Sequence, residues 1–344
     1  MTEAYHGPAL QSLERSGHCR VTALFDPSPA RVEAIKALFP AAASIGSMQD
    51  LQNLEPGLAL VASPAKYHAA QTIAALEAGW AVFCEKPMAA NLDEAEEMIA
   101  ASRRTQRPLC IGLYRRHLPA VKAVHQVLNS GVLGKPVRFE IAEGGPFGWP
   151  AASAQFFQKQ HAHGGVLHDA GVHVLDLCAL WFGDPTSVDY EDDAMGNLEI
   201  NCRVRMQYPG GLTGEVRLSR DWKTMNRTFI QCEQGWIAWR PGEAQKFEMA
   251  LDGNGQVFQV DLAQTDQQWA LPTAGIPVLT FQQCLTRQIE NALAAAQGKE
   301  APEVSGEEAL RSLKVIDYCY QNRRLMAMPW LSAPERRRAE ELAA

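Results

Sequence analysis

The sequence predicts an α/β fold, in which a parallel sheet covered by helices on both faces is followed by a second α/β domain with an open, mainly antiparallel sheet. In the first third of the 344 residues, short and almost wholly apolar runs alternate with helical patterns. Such runs are typical of parallel strands that are buried on both faces. After Tyr114 the strands instead alternate polar and apolar residues, as in an antiparallel sheet with one face in water. We therefore expect domains at 1–114 and 115–332, with a loose polar tail at 333–344.

The elements of the first domain follow from the spacing of its apolar residues. Strands are predicted at 20–25, 58–62, 81–84 and 109–113, and helices at 30–39, 67–78 and from residue 91 onwards. Asn91 and Glu94 have the spacing of a capping box, and Gly79 is placed to end the preceding helix. The alternation of strand and helix predicts a parallel sheet.

The second domain begins with a helix and ends with two. Helices are predicted at 120–128, 166–182, 281–295 and 306–322, and strands at 137–141, 199–206, 214–218 and 228–232. The turn residues between the later strands, such as those at 208–211, favour antiparallel hairpins.

Composition and charge exclude several classes of protein. Basic residues number 32 and acidic residues 39, so the net charge of −7 argues against a nucleic-acid or anionic-membrane partner. No apolar stretch approaches the about 18 residues of a membrane span, and the N-terminus lacks the pattern of a signal peptide. Eight scattered cysteines without a Cys-x-x-Cys pair indicate free thiols. We therefore expect a cytoplasmic location.

Three residues suit proton transfer coupled to hydride transfer. Lys86 follows the apolar run 81–84, and Asp169 and His173 lie four residues apart on one face of the predicted helix. A histidine ordinarily titrates near neutral pH and serves as an acid–base group, and a lysine ammonium stabilises a forming alkoxide. An aspartate one turn before the histidine is placed to orient the imidazole or to hold a substrate hydroxyl.

Each of these residues also has a plainer interpretation. A histidine on an apolar helix is often a core residue, a lysine after a strand is often a surface residue, and an aspartate often makes structural hydrogen bonds. His161, His163 and His168 lie close together in the sequence, but their spacing does not match zinc-binding patterns, so we predict no metal site.

Further motifs stand in a fixed order along almost the whole chain. They are His6-x-Pro8-Ala9-Leu10, Asp26 after the first strand, Ser63-Pro64-x-x-x-His68, the phrase 75–79, Glu85-Lys86-Pro87, Tyr114-Arg115-Arg116, Leu133-Gly134, and Gly164-Gly165 followed by Asp169 and His173. In this order and spacing the chain resembles the Gfo/Idh/MocA family of nicotinamide-dependent sugar and cyclitol dehydrogenases.

The resemblance implies a Rossmann-type domain followed by an α/β domain whose open sheet forms the interface of a homo-oligomer. It implies NAD as cofactor rather than NADP, because the carboxylate of Asp26 repels a 2′-phosphate. It assigns the chemistry to Lys86, Asp169 and His173. Cofactor binding is assigned to Asp26, Ser63, Pro64, His68, Glu85 and Lys86, with a cis bond before Pro87. We also expect substrate contacts from Arg115, Arg116 and Trp149.

The expected function is hydride transfer between nicotinamide and a ring hydroxyl or ketone of a sugar, nucleotide sugar or cyclitol. In this scheme His173 is the acid–base group, Lys86 stabilises the oxyanion and Asp169 orients. Two alternatives stay open: a non-catalytic, regulatory family member that binds a ligand or partner, and the redox-assisted glycoside hydrolysis that some relatives perform.

The first strand and glycine-rich loop of such a domain have no counterpart in this sequence. The first twenty residues contain only Gly7 and Gly17, which are not in a Gly-x-Gly-x-x-Gly arrangement. The strand would be the central one of the sheet, so we expect a gap between two strands. Three explanations of the missing strand and loop stay open: a misassigned start, which we favour, a true truncation, and a functional remodelling.

Overall fold

The computed structural model describes residues 5–148, 162–253, 255–263, 280–329 and 331–343. Trp149 and His161 lie outside these ranges. The chain divides into two compact units, one formed by residues 1–117 and 279–310 and the other by residues 118–278 and 311–344.

The first unit contains two small parallel sheets. Its helices are α1 (Gly7–Arg15), α2 (Pro29–Lys36), α3 (His68–Glu77), α4 (Leu92–Thr105) and α7 (Phe281–Ala296). Its strands are β1 (Ala23–Leu24), β2 (Ala43–Ser44), β3 (Leu58–Val61), β4 (Ala81–Cys84) and β5 (Leu109–Ile111). One sheet has the order β1-β2 and the other the order β3-β4-β5, with all neighbours parallel.

The predicted gap in the parallel sheet falls between β1 and β3. Among the described residues β1 pairs with β2 and β3 pairs with β4, so no pairing joins β1 to β3. Strands β4 and β5 are buried along their whole length, whereas only Val61 of β3 is buried. The parallel Rossmann-type sheet is confirmed, in two pieces.

Helix α7 completes the core of the first unit although it lies far downstream in the sequence. Ile289 packs against Ala9 and Leu13 of α1, and Ala292 packs against Phe83 of β4. Small residues on this face let the helix approach the sheet closely. The expected contiguous boundaries at 1–114 and 115–332 are corrected accordingly, since residues 279–310 fold with the first unit.

The second unit is built on a nine-stranded sheet. Its helices are α5 (Pro119–Ser130), α6 (Val172–Phe182), most of α8 (Gly306–Gln321) and α9 (Ala333–Ala343). Its strands are β6 (Pro136–Gly144), β7 (Ser187–Asp192), β8 (Asn201–Gln207), β9 (Thr213–Ser219), β10 (Arg227–Cys232), β11 (Gly235–Trp239), β12 (Lys246–Leu251), β13 (Val257–Asp261) and β14 (Arg324–Leu325).

The strand order in this sheet is β13-β12-β11-β10-β6-β9-β8-β7-β14. Only the β6–β9 and β7–β14 pairs are parallel, so the open, mainly antiparallel sheet is confirmed. One face carries charged side chains, among them Arg205, which lies 2.8 Å from Asp189 and 3.3 Å from Glu215. Within the described ranges, no helix combines the length and apolarity needed to span a membrane.

Aromatic residues join α6 to the other face of the sheet. The ring of Phe139 on β6 stacks on Phe182 at a centroid distance of 4.5 Å, and Trp181 meets Trp239 edge-on at 6.2 Å. Gly214 on β9 lies directly under Phe139, where a Cβ atom would overlap the ring. The absence of a side chain at Gly214 thus makes room for the ring that holds α6.

The tail after residue 332 forms helix α9, so the expectation of a loose segment is wrong. The carboxylate of Glu335 accepts hydrogen bonds from the backbone N–H and the hydroxyl of Ser332, at 2.8 and 2.6 Å, which caps the helix start. The alanine, glutamate and arginine residues that follow are strong helix formers. Helical propensity and the cap therefore outweigh the polarity of the segment.

We expect Gly214→Ala to lower the free energy of unfolding by about 1–3 kcal/mol, because a new methyl group would overlap the ring of Phe139. The Tm, measured by circular dichroism, should fall by several degrees. Gly242→Ala is the matched control, since no atom lies within 4 Å of the Cβ position at Gly242. Equal Tm values for the two variants would contradict this account of the aromatic packing.

Candidate active site

The helix that carries Asp169 and His173 begins with a π-helical turn. The turn spans Leu167–Gly171 and leads directly into α6, so Asp169 lies in the π turn and His173 in the first turn of the α-helix. The predicted helix at 166–182 is therefore confirmed, with a wider first turn. Such turns are frequent at functional sites.

A buried carboxylate holds the start of this helix. Glu199 is 4% exposed, and its side chain accepts hydrogen bonds from the N–H groups of Gly165 and Leu167, each at 3.0 Å, and from the hydroxyl of Tyr320 at 2.8 Å. Its backbone carbonyl accepts from the N–H of Val166 at 3.1 Å. The amides at a helix start lack partners within the helix, and a carboxylate there satisfies them.

Close contact with Glu199 and Tyr320 explains the Gly164-Gly165 pair. A Cβ atom at Gly165 would overlap the backbone oxygen of Glu199, and one at Gly164 would overlap the hydroxyl of Tyr320. The pair is thus required by steric fit at the helix start. No sequence motif identified Glu199 or Tyr320, because both partners come from distant parts of the chain.

Burial raises the pKa of Glu199 above the ordinary carboxyl range, although the hydrogen bonds from Tyr320 and the backbone amides act in the opposite direction. Burial, together with the neighbouring Glu199, raises the pKa of Tyr320 well above its usual value. The hydroxyl therefore remains a hydrogen-bond donor to Glu199.

Arg220, which the sequence analysis did not identify, pairs with Asp169. Its Nη2 donates to Oδ2 of Asp169, and its guanidinium lies over the ring of Phe147, 5.1 Å from the centroid. The Asp169 side chain is one-third exposed. His173, by contrast, is 7% exposed.

In the first unit, Lys86 lies two residues after the end of β4 and is half-buried. The Lys86–Pro87 peptide bond is cis, as the resemblance implies. Glu85 is 5% exposed, and its carboxylate accepts a hydrogen bond from the N–H of Lys86 at 3.0 Å and lies 2.9 Å from Nε2 of the buried His6. The contacts of Glu85 are thus with the loop that carries Lys86 and with the residue preceding α1.

His68 joins the loops that follow β3 and β4. It is 1% exposed, its Nε2 lies 2.8 Å from the carbonyl oxygen of Ser63, and its Nδ1 lies 2.8 Å from that of Pro87. The hydroxyl of Ser63 donates to Oε1 of Gln71 at 2.7 Å. Dinucleotides bind at the carboxyl ends of parallel strands, and His68 fixes two loops, the first of which includes Pro64, at that edge.

Asp26 stands after β1 and is half-buried. Its Oδ1 accepts a hydrogen bond from the N–H of Ser28 at 2.8 Å, which fixes the carboxylate in a turn. A carboxylate after this strand fits the ribose hydroxyls of a dinucleotide. The polar groups after β1, β3 and β4 fit a nicotinamide dinucleotide, whereas the described residues include no Gly-x-Gly-x-x-Gly loop for its pyrophosphate.

The expected substrate residues Arg115 and Arg116 lie in the single turn Tyr114–His117 after β5 and are both buried. Nη1 of Arg116 lies 2.9 Å from Oε2 of Glu308, so this guanidinium is held in an ion pair. Trp149, the third expected contact, lies outside the described residues.

Over the described ranges, no three or more His, Cys, Asp or Glu side chains are grouped as metal ligands would be. His163 is exposed and His168 is buried, while His161 lies outside these ranges.

We expect Glu199→Ala to lower the free energy of unfolding by about 1–3 kcal/mol for each buried donor that loses its acceptor. Glu199→Gln retains one acceptor oxygen and should lower the free energy of unfolding by less.

The pH dependence of the Tm distinguishes the effect of the Glu199 charge from that of its hydrogen bonds. Because the pKa of Glu199 is raised in the folded protein, its stabilising contribution is present at low pH and is lost as the pH rises through that folded value. Glutamine does not titrate, so the Tm of the unmodified protein should fall relative to that of Glu199→Gln as the pH rises above the ordinary carboxyl range. A Tm difference that stays constant or grows in the opposite direction would refute the raised pKa.

Two domains of one protein family match this chain. Residues 1–113 match the oxidoreductase family with an NAD-binding Rossmann fold that is named after Gfo, Idh and MocA, and residues 121–238 match the C-terminal domain of the same family. Together the two matches cover more than half of the chain.

Similar proteins include dehydrogenases from distant organisms. D-apiose dehydrogenase of Paraburkholderia graminis is 24% identical over 323 residues, which cover 88% of this chain and 81% of that protein. Human trans-1,2-dihydrobenzene-1,2-diol dehydrogenase is 30% identical over 246 residues, which cover 68% of this chain and 71% of that protein.

Among solved structures, levoglucosan dehydrogenase in complex with NADH and levoglucosan is similar to this chain, with a TM-score of 0.78 at 18% identity. The similarity covers 92% of this chain and 93% of the other, and at that identity it supports the fold. The motifs, the split parallel sheet with its carboxyl-end loops, and these matches lead to one assignment: the chain is an oxidoreductase of the Gfo/Idh/MocA family with an NAD-binding Rossmann domain.

Proposed function

We propose that this chain oxidises a ring hydroxyl of a sugar, nucleotide sugar or cyclitol, or reduces the matching ketone, with NAD(H). The observation that carries the proposal is the turn at the start of α6, where Glu199 binds the N–H groups of Gly165 and Leu167. This turn carries Asp169 and leads into the first turn of α6, which carries His173. Catalytic groups on a fixed backbone lose little free energy to reorganisation during the reaction.

His173 exchanges the hydroxyl proton in this scheme. An alcohol carbon releases hydride readily only as its oxygen loses a proton, so a base is required. A bound nicotinamide would supply the acceptor for the hydride of the alcohol carbon. Lys86 stabilises the negative charge on the substrate oxygen, and its position is set by the Glu85 carboxylate, which accepts from the Lys86 N–H.

Asp169 holds the substrate through its carboxylate, which the ion pair with Arg220 keeps in place. Arg115 and Trp149 are proposed as substrate contacts. Arg116 has its ion pair with Glu308, so we propose that it fixes the turn that also carries Arg115.

The substrate class is supported by the similar proteins. The names of the relatives specify a sugar, D-apiose, and a cyclic diol, dihydrobenzenediol. Both compounds carry more than one hydroxyl group. A polar constellation of carboxylate, guanidinium and imidazole suits such substrates.

We further propose a cytoplasmic homo-oligomer that binds neither nucleic acid nor membranes. The net charge of −7 supports the absence of nucleic-acid and membrane partners. The eight cysteines, all free thiols, support a reducing location. The charged face of the nine-stranded sheet also carries Phe229 and Trp236, with ring centroids 5.7 Å apart, and this face is the proposed interface.

The proposal is tested by NADH formation with a panel of aldoses, levoglucosan and myo-inositol. We expect His173→Ala to lower kcat about 10²–10⁴-fold, the usual contribution of general acid–base catalysis, and Lys86→Ala to abolish turnover. NADH affinity, measured by fluorescence titration, should be largely unchanged in His173→Ala.

The control variants His18→Ala and Lys135→Ala replace exposed residues of the same types. Turnover like that of the unmodified protein in either His173→Ala or Lys86→Ala would refute the assigned roles. A protein that neither binds NADH nor oxidises any member of the panel would refute the function.

The choice of cofactor is tested at Asp26. We expect Asp26→Ser to raise kcat/KM with NADP relative to NAD, because the variant no longer places a negative charge beside the 2′-phosphate. Serine also retains an acceptor for the N–H of Ser28, which keeps the turn. An unchanged preference between the two cofactors would show that Asp26 does not contact the adenosine ribose.

A further inference from the structure

The segment 193–200, which we call the Glu199 loop, connects β7 to β8 and brings Glu199 to the start of α6. Asp193 joins the two ends of this loop. Its N–H donates to the carbonyl of Asn201 at 3.2 Å, and its carboxylate accepts from the N–H groups of Ile200 and Asn201 at 2.8 and 2.9 Å. The loop is therefore closed at its base, and contacts from other elements decide where it places Glu199.

The C-terminal end of α8 contacts the Glu199 loop at two places. Tyr320 lies in the last turn of the helix, and its hydroxyl donates to Oε1 of Glu199 at 2.8 Å. Arg323 lies two residues after the helix, and its Nη2 donates to the carbonyl of Ala194 at 2.7 Å and to Oδ1 of Asp192. One contact is at the start of the loop and the other near its end, so this part of the chain holds the loop at both ends.

The side chain of Tyr320 has little freedom to turn away from Glu199. Its hydroxyl lies so close to Gly164 that a Cβ atom there would overlap it. The ring of Tyr190 on β7 meets the ring of Tyr320 edge-on, with the centroids 6.1 Å apart. A tyrosine side chain has only two torsion angles, so these contacts direct the hydroxyl at the carboxylate.

The oxygen of Glu199 that accepts from Tyr320 is the same oxygen that binds the start of the helix. Oε1 of Glu199 accepts from the N–H groups of Gly165 and Leu167, each at 3.0 Å. Leu167 is the first residue of the π turn that contains Asp169. Misplacement of catalytic groups by about 1 Å lowers rates about a hundredfold even when its origin is far from the reacting atoms. The position of Oε1 therefore matters for the reaction as well as for folding.

We propose that Tyr320 is a positioning residue for the reaction, because its hydroxyl fixes the carboxylate of Glu199, which in turn fixes the π turn that carries Asp169. Tyr320 acts through Glu199 and not through contact with the substrate. This inference rests on the proposed function and adds to it a residue from α8 that belongs to none of the sequence motifs.

The test replaces Tyr320 by phenylalanine, which keeps the ring and removes only the hydroxyl. The kcat for the best substrate of the panel is measured per folded protein, at a temperature well below the Tm. We expect kcat in Tyr320→Phe to fall about ten- to a hundredfold, because the π turn is no longer held in one position. The KM for NAD should be unchanged, since the residues proposed to bind the cofactor lie in the first unit. A merely structural role would lower the Tm and leave kcat per folded protein unchanged.

Two other tyrosines provide matched controls. Tyr318→Phe removes a hydroxyl from the same helix, at a residue that is 47% exposed. Tyr190→Phe removes a buried hydroxyl beside Tyr320, and within the described part of the chain that hydroxyl has no hydrogen-bond partner. Both variants should keep the kcat of the unmodified protein. The Tm of Tyr190→Phe should not fall, because removal of an unpaired buried hydroxyl leaves no donor or acceptor unsatisfied.

A double substitution tests whether Tyr320 acts through Glu199. Glu199→Gln alone should also lower kcat with the KM for NAD unchanged, which keeps the inference testable if Tyr320→Phe does not fold. Substitutions that act on one hydrogen-bonded unit are not additive in free energy. Tyr320→Phe should therefore lower kcat by a smaller factor in Glu199→Gln than in the unmodified protein.

The inference is overturned if folded Tyr320→Phe keeps the kcat of the unmodified protein, if Tyr190→Phe lowers kcat as much, or if the factors for Tyr320→Phe and Glu199→Gln simply multiply. A protein that binds NADH but oxidises no member of the panel would instead refute the proposed function, and the inference would fall with it. The activity of the unmodified protein thus distinguishes the two failures.

Discussion

The hydrogen bonds of the Glu199 carboxylate determine the geometry of the proposed site. They satisfy the amides at the start of the helix and thereby set the position of the π turn that contains Asp169. The contact is close enough to require glycine at 164 and 165, so the Gly-Gly motif and the buried glutamate form one structural feature. The cost of burying a carboxylate appears in its raised pKa and is offset by the hydrogen bonds it accepts.

A comparable arrangement supports the loops of the first unit. Buried histidines make contacts that connect loops: His68 lies between the carbonyls of Ser63 and Pro87, and His6 lies against Glu85. Two residues expected from the sequence to bind the cofactor, His68 and Glu85, thus also make contacts within the loops. Side chains of this kind shape a binding surface because they remove alternative conformations of the loops.

Arg220 changes the interpretation of Asp169. The sequence placed an aspartate one turn before a histidine and favoured a role in orienting the imidazole or holding a substrate hydroxyl. The structure adds a guanidinium on the carboxylate and an aromatic ring behind the guanidinium. The carboxylate is then part of an ion pair within the second unit.

The sequence by itself determined the parallel and antiparallel sheets, the helix at 166–182 and the family. These follow from local periodicity and from motifs that are contiguous in the chain. It did not reveal strands such as β7, β12 and β13, whose short mixed sequences gain their stability from neighbours in the sheet. Only the tertiary structure placed α7 in the first unit, Glu199 and Tyr320 at the helix start, and Arg220 on Asp169. Each of these is a contact between residues far apart in sequence, and no local pattern encodes which distant side chains a fold brings together.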